Sequence, residues 1–128
     1  MAILWHGTTR DRAIVILSNG PDSAYVEPGG VQGNAAEGFS TMLSRYVPNP
    51  GDPSCEDYAR MKAKNFPNEG GPAIVEVEVP DDLVNQVLND PITGMAYQDS
   101  GEIRFDFATG LAELLHQWPR LTKRMIIP

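Results

Sequence analysis

His6 and Gly7 stand side by side at the end of the apolar run Ala2 to Trp5. That order has chemical use. A glycine at a strand end lets a ligand come against the main chain, where N–H and C=O can both bond a carboxamide. The imidazole beside it can then reach a neighbouring hydroxyl of the same ligand. Other chemistries find no foothold. There is no glycine-rich dinucleotide or phosphate loop, no Cys/His pair with zinc spacing and no nucleophile elbow to support a serine triad. The one cysteine, Cys55, has no neighbour in sequence that would activate it.

Charge and composition narrow the partners. The 128 residues carry a net charge of -7, and an acidic surface repels phosphate backbones and anionic membranes. Nucleic acid is therefore an unfavoured partner. Arg120, Lys123 and Arg124 form a small basic patch. A small dianionic ligand needs only a few local donors, so the acidic total leaves room for one. A lone cysteine suits a reducing compartment. No apolar run approaches the ~18 residues of a membrane span. A cytoplasmic protein, or a delivered effector, is the expected setting. The length suits one domain over residues 1–128, with a core that stands without metal or disulfide.

The elements that must position His6 and Gly7 follow from patterning. Ala2 to Trp5 reads as a buried strand. Thr8 or Thr9 caps a helix that Gly20 stops. Residues 21–38, rich in Gly, Pro and small polar types, read as loop, and Gly38 to Met42 as a short strand leaving it. Ser54 begins a helix with Asp57 as capping-box partner, and Tyr58, Met61 and Lys62 share one of its faces. Val75, Val77 and Val79 alternate with Glu76 and Glu78, a half-buried strand. Asp81 is expected to cap a short helix. Residues 89–101 read as turns, and Glu102 to Phe107 as a second alternating strand. Thr109 opens a helix that Pro119 ends, and Met125 to Ile127 closes the chain as a strand. Strands and short helices without a steady βαβ rhythm make an α+β fold with a mixed or antiparallel sheet.

Read in order, these pieces resemble a known family. Leu4-Trp5-His6-Gly7-Thr8-Thr9, followed by a helix ending at Gly20, resembles the start of the ADP-ribosyltransferase fold, in the histidine-bearing branch that includes the poly-ADP-ribose polymerases and small bacterial relatives. Gly38-Phe39-Ser40-Thr41 is similar to that family's aromatic-Thr strand, Glu56-Asp57-Tyr58-Ala59 to its tyrosine-bearing helix, Pro72 to Pro80 to its next central strand, and Ser100-Gly101-Glu102-Ile103 to the late strand carrying its glutamate.

The resemblance implies a split sheet with a cleft between two small sheets, NAD as substrate, and no metal. It implies cleavage of the nicotinamide–ribose bond and transfer of ADP-ribose to a macromolecule, such as a protein, or to water. Gly7 would bind the nicotinamide amide and His6 a ribose, with Thr8, Phe39 and Ser40 as further contacts. Tyr58 would stack on the cationic ring, with Tyr46 as its rival. Glu102, with His6, would be catalytic, bonding the ribose 2′-hydroxyl and steadying positive charge as the bond opens. No second acid stands two residues before Glu102, so the pattern of arginine-directed transferases is missing and the acceptor stays open.

Each residue also has a plainer reading. His6 can be a histidine satisfied by a backbone carbonyl, Tyr58 a core aromatic and Glu102 one of three solvated charges on a strand face. A fold can be kept while activity is lost. A catalytically inactive nucleotide- or protein-binding domain on the same scaffold is therefore the alternative. A relative of the RNA 2′-phosphotransferases would need several basic residues in its cleft, and this chain has few.

Overall fold

Alternating valines between glutamates build the central strand β3 (Pro72–Val79), and the chain wraps the rest of the sheet around it. A computed structural model describes residues 1–21, 38–106 and 108–128. The loop expected at 21–38 and the position of Phe107 thus fall almost wholly outside the described residues. Along the chain come β1 (Ala2–Thr9), α1 (Arg10–Asn19), β2 (Gly38–Leu43), α2 (Cys55–Asn65), β3, α3 (Asp81–Asn89), α4 (Pro91–Ser100), β4 (Glu102–Asp106), α5 (Leu111–Gln117), a 3-10 turn (Trp118–Arg120) and β5 (Lys123–Ile126). The fold is α+β.

The five strands form one sheet in the order β4-β2-β1-β3-β5, and every neighbouring pair is antiparallel. Of the mixed or antiparallel sheet expected, the antiparallel form is the one present, and the expected two small sheets are corrected to one hydrogen-bonded sheet among the described residues. Its seams are unequal. β1 pairs β3 from Ala2↔Val79 to Thr9↔Pro72, whereas β1 pairs β2 only at Leu4↔Leu43 and Trp5↔Met42. Beyond Trp5 the two central strands have no ladder between them among the described residues.

Strand alternation gives the sheet two unlike faces. One carries Leu4, Phe39, Val75, Val77, Ile103 and Phe105, all almost fully buried against α1, α3, α5 and Trp118. At roughly 1.5–3 kcal/mol for each large apolar side chain removed from water, this face fixes the fold. The other face carries Gly7, Ser40, Met42, Glu102 and Arg104, and α2 covers its middle.

Local signals account for most element ends. Thr9 accepts a hydrogen bond from the Arg12 N–H and caps α1, which ends at Gly20 with φ 89°. Ser54 and Asp57 close the expected capping box of α2. Other expectations are corrected. Residues 89–101, expected as turns, hold helix α4 over Pro91–Ser100: Asp90 accepts from the Ile92 and Thr93 N–H groups, Pro91 takes the first helical position, and Gly101 caps the end in the left-handed region. Asp81 is the first residue of α3 rather than its cap. Its carboxylate instead meets the terminal ammonium of Met1 at 3.1 Å. The α5 cap position is held by Gly110, one residue past Thr109.

Candidate functional site

The seam between β1 and β2 is where the site lies. Continuing the register past Trp5↔Met42 would set Gly7 opposite Ser40. Main-chain groups of alternate residues point the same way along a strand. Because the Ile3 carbonyl accepts from the Ser44 N–H on the β2 side, the Gly7 N–H and C=O also face β2. That pairing is not made. The Ser40 carbonyl is instead taken by His6, whose Nδ1 lies 2.6 Å away. A carbonyl only accepts, so Nδ1 carries the hydrogen and Nε2 is left with a lone pair. The plain reading of His6 and the functional one hold together: the ring is satisfied by a backbone carbonyl, and one nitrogen is left over.

Burial fixes the protonation state of that ring. His6 is 9% exposed, and its ring centroid lies 4.4 Å from that of Phe39. Desolvation brings its pKa down to about 4, against the Ser40 bond, which raises it; the charge of Lys62 adds to the lowering. His6 is neutral near pH 7.

Helix α2 closes the site from above. A methyl group at Gly7 would lie 2.5 Å from the Cys55 carbonyl oxygen and 2.9 Å from the Ala59 nitrogen, so the helix approaches β1 this closely only over glycine. That approach brings Tyr58 and Lys62 to the cavity rim. Burial raises the Tyr58 hydroxyl pKa, and Glu102, Cys55 and Asp52 add to it. Cys55 also lines the cavity. Its thiol donates to the Trp5 carbonyl at 3.4 Å and is pushed up to about 12 by burial, so it is not a nucleophile at neutral pH.

Strand β4 supplies the acid. Met42 pairs with Glu102 and Ser40 with Arg104, so all four share one face. The Ser40 hydroxyl donates to Glu102 Oε2 at 2.6 Å, and Arg104 Nη1 stands 3.7 Å from Glu102 Oε1. Together these groups enclose a cavity of about 250 Å³.

His6, Gly7, Ser40, Tyr58 and Glu102 are thus brought together on one cavity. Thr8 and Phe39 are not among the residues that line it. Both are buried on the core face. Phe39 supports the His6 ring from below, and the Thr8 hydroxyl is buried without a hydrogen-bond partner among the described residues. Tyr46 does not line the cavity either: its ring sits against Gly101, where a methyl group would come 2.5 Å from it. Two cations were not foreseen there. Lys62 lies one helical turn after Tyr58, and Arg104 lies two residues after Glu102 on the same strand face; these spacings were the available signal.

Two residues of the basic patch have partners within the chain. Arg124 bonds Glu76 at 2.7 Å, and the Lys123 ammonium donates to the Trp118 and Leu121 carbonyls. Among the described residues no group of three or more His, Cys, Asp or Glu is placed to hold a metal ion, and no helix is long and apolar enough to cross a membrane. The chain matches no protein-family model, no curated protein and no solved structure.

Proposed function

We propose that this chain binds NAD at the β1–β2 seam and opens the bond between nicotinamide and ribose, as an ADP-ribosyltransferase or NAD glycohydrolase. One observation carries the reading: His6, Gly7, Tyr58 and Glu102, from two strands and a helix that are distant in sequence, meet on a single cavity. Its volume, about 250 Å³, falls just under the roughly 300–1,000 Å³ of small-molecule sites. It suits the nicotinamide riboside end of NAD rather than the whole dinucleotide.

In this reading the Gly7 N–H and C=O hold the carboxamide in place of the missing ladder partner. Tyr58 lies over the pyridinium ring, and His6 Nε2 accepts from a ribose hydroxyl. The Glu102 carboxylate, oriented by the Ser40 hydroxyl, accepts from the ribose 2′-hydroxyl and steadies the positive charge that develops as the C–N bond opens. Nicotinamide leaves with the bonding electrons as a neutral molecule. ADP-ribose then passes to an acceptor or to water.

Incubating the protein with millimolar NAD and measuring free nicotinamide tests the reading. Release is expected, with a fall of about 100-fold or more in Glu102→Gln while the circular dichroism of the fold persists. No nicotinamide above background removes the enzyme. A thermal shift with NAD but no turnover selects the inactive binding domain instead.

A further inference from the structure

Strand β5 closes one side of the sheet, with β3 within and nothing paired beyond. Its ladder to β3 fixes where its main-chain groups point. The Glu78 N–H donates to the Thr122 carbonyl, so those two form a hydrogen-bonded pair, and alternation makes Glu76 and Arg124 the next one. The N–H and C=O of Lys123 and Met125 therefore point outward, and no main-chain partner meets them among the described residues. An open edge is ordinarily guarded by charges that stand past it. Here they are drawn back. The Lys123 ammonium donates to the Trp118 and Leu121 carbonyls, and Arg124 Nε donates to Glu76 on β3. One face of β5 is an apolar margin of the core, where Leu121 and Met125 are half-buried. Ile127, just past the strand, is 51% exposed. The other face carries Arg124. Its side chain is 69% exposed, and beyond Nε its guanidinium has no partner among the described residues. Arg120, four residues earlier, is exposed as well.

We propose that the outer edge of β5 takes an extended segment of a partner protein, added as a further strand, in which acidic and apolar residues alternate. Strand β3 shows the pattern from the inner side: Val75 and Val77 pack into the core, and Glu76 stands opposite Arg124. A strand on the outer side meets the same two faces. Its apolar side chains extend the margin of Leu121 and Met125, and a carboxylate opposite Arg124 reaches the unpaired end of the guanidinium fork. Because the Arg124 main chain points inward, that outer pair is of the close kind, with Cα atoms about 4.5 Å apart. A basic strand would set like charges against each other there. A second copy fits less well, because β5 holds no acid to offer Arg124. The net charge of -7 does not decide the matter: screening over about 8 Å in physiological salt leaves the local cations to govern contact. No residue of β5 lines the β1–β2 cavity, so the inference stands apart from the NAD reading.

The probe is a blocked peptide with the β3 sequence Ala73–Val79, titrated into the whole chain and followed by amide NMR. The Lys123 and Met125 amide resonances should shift saturably, and at saturation these amides should exchange with solvent at least about tenfold more slowly. The same peptide with Glu76→Lys and Glu78→Lys should bind about tenfold more weakly or worse, and so should the original peptide to the Arg124→Gln chain. Met125→Pro removes an outward N–H without touching the β3 ladder and should abolish the shifts. Arg124→Gln, on an exposed side chain, gives the answer where that proline unfolds the chain. Equal binding of the two peptides, shifts confined to other residues, or no saturable shift overturns the inference. Protection of the Lys123 and Met125 amides that needs no peptide and grows with protein concentration gives the edge to a second copy, and overturns it likewise.

Discussion

His6 takes the Ser40 carbonyl that the register assigns to Gly7: its Nδ1 lies 2.6 Å from that oxygen, and the β1–β2 ladder stops at Trp5↔Met42. The imidazole thereby acts as a wedge. It stands where the two central strands cease to pair and leaves a pair of Gly7 main-chain groups at the cavity. Removing the ring should let the ladder close. In His6→Ala the Gly7 amide is expected to exchange with solvent at least about tenfold more slowly than in the wild type, since a new cross-strand hydrogen bond would protect it. Equal or faster exchange would show that the seam is held open by something other than His6.

Ser40 donates to Glu102 across adjacent strands at 2.6 Å. A hydrogen bond to a charged group contributes about 1.5–3 kcal/mol, and each 1.36 kcal/mol is tenfold in rate. Ser40→Ala should therefore slow nicotinamide release by about 10- to 100-fold. The affinity for NAD should change only a few-fold, because Glu102 is asked to act mainly as charge develops. Steady-state kinetics that show the loss in KM with kcat intact would contradict this role for the serine.

Acid should weaken the fold through His6. Free histidine titrates near 6.5 and His6 near about 4, so between those values the unfolded chain binds a proton that the native chain refuses. Stability from the neutral ring is complete above about pH 6.5 and is lost as pH falls toward 4. The gap corresponds to about 3 kcal/mol. Glu69 and Glu76 also have carboxyls held below the usual range by hydrogen bonds from Arg12 and Arg124, and they add losses at lower pH. Urea midpoints of the wild type and His6→Gln, followed from pH 7 to 4, separate the two. The wild type should lose more over that range, and parallel curves would dismiss the ring as the cause.

What the sequence disclosed was set by where each signal is local. The capping box at Ser54 and Asp57, the valine alternation of β3 and the Gly20 stop are each decided within a few residues. So was the face of α2 that brings Tyr58 and Lys62 to the cavity. Helix α4 carried equally local marks, Asp90 before Pro91 and Gly101 behind, but its weak apolar periodicity hid them. The register of β1 on β2 is a different matter. It depends on residues far apart in sequence, so nothing near His6 shows that its ring would bond Ser40 rather than stand free. That Phe39 and Thr8 lie away from the cavity was hidden for a related reason. A motif gives neighbours in sequence, whereas alternation sends Phe39 and Ser40 to opposite faces.

Two tyrosines competed for the stacking role, and their surroundings separate them. Tyr58 lines the cavity, whereas Tyr46 packs on Gly101. Tyr58→Ala should raise the KM for NAD about tenfold, the loss of an aromatic contact of roughly 1 kcal/mol together with its cation attraction, and Tyr58→Phe should restore most of it. Tyr46→Phe should leave the KM unchanged. The opposite pattern would move the nicotinamide to the far side of Glu102.

Gly7 is the point where fold and site make incompatible demands on a side chain. The backbone there is an ordinary strand, so conformation alone admits alanine. Space does not. The added carbon would meet the Cys55 carbonyl at 2.5 Å and the Ala59 nitrogen at 2.9 Å, both main-chain atoms of a helix that cannot turn aside as a side chain can. Overpacking of this kind costs about 1–3 kcal/mol, and relief requires α2 to lift, carrying Tyr58 away from the seam. Gly7→Ala is therefore expected to lower the urea midpoint and to abolish NAD-induced thermal stabilisation together. A variant of normal stability that still binds NAD would mean that α2 does not clamp β1 as tightly as these distances require.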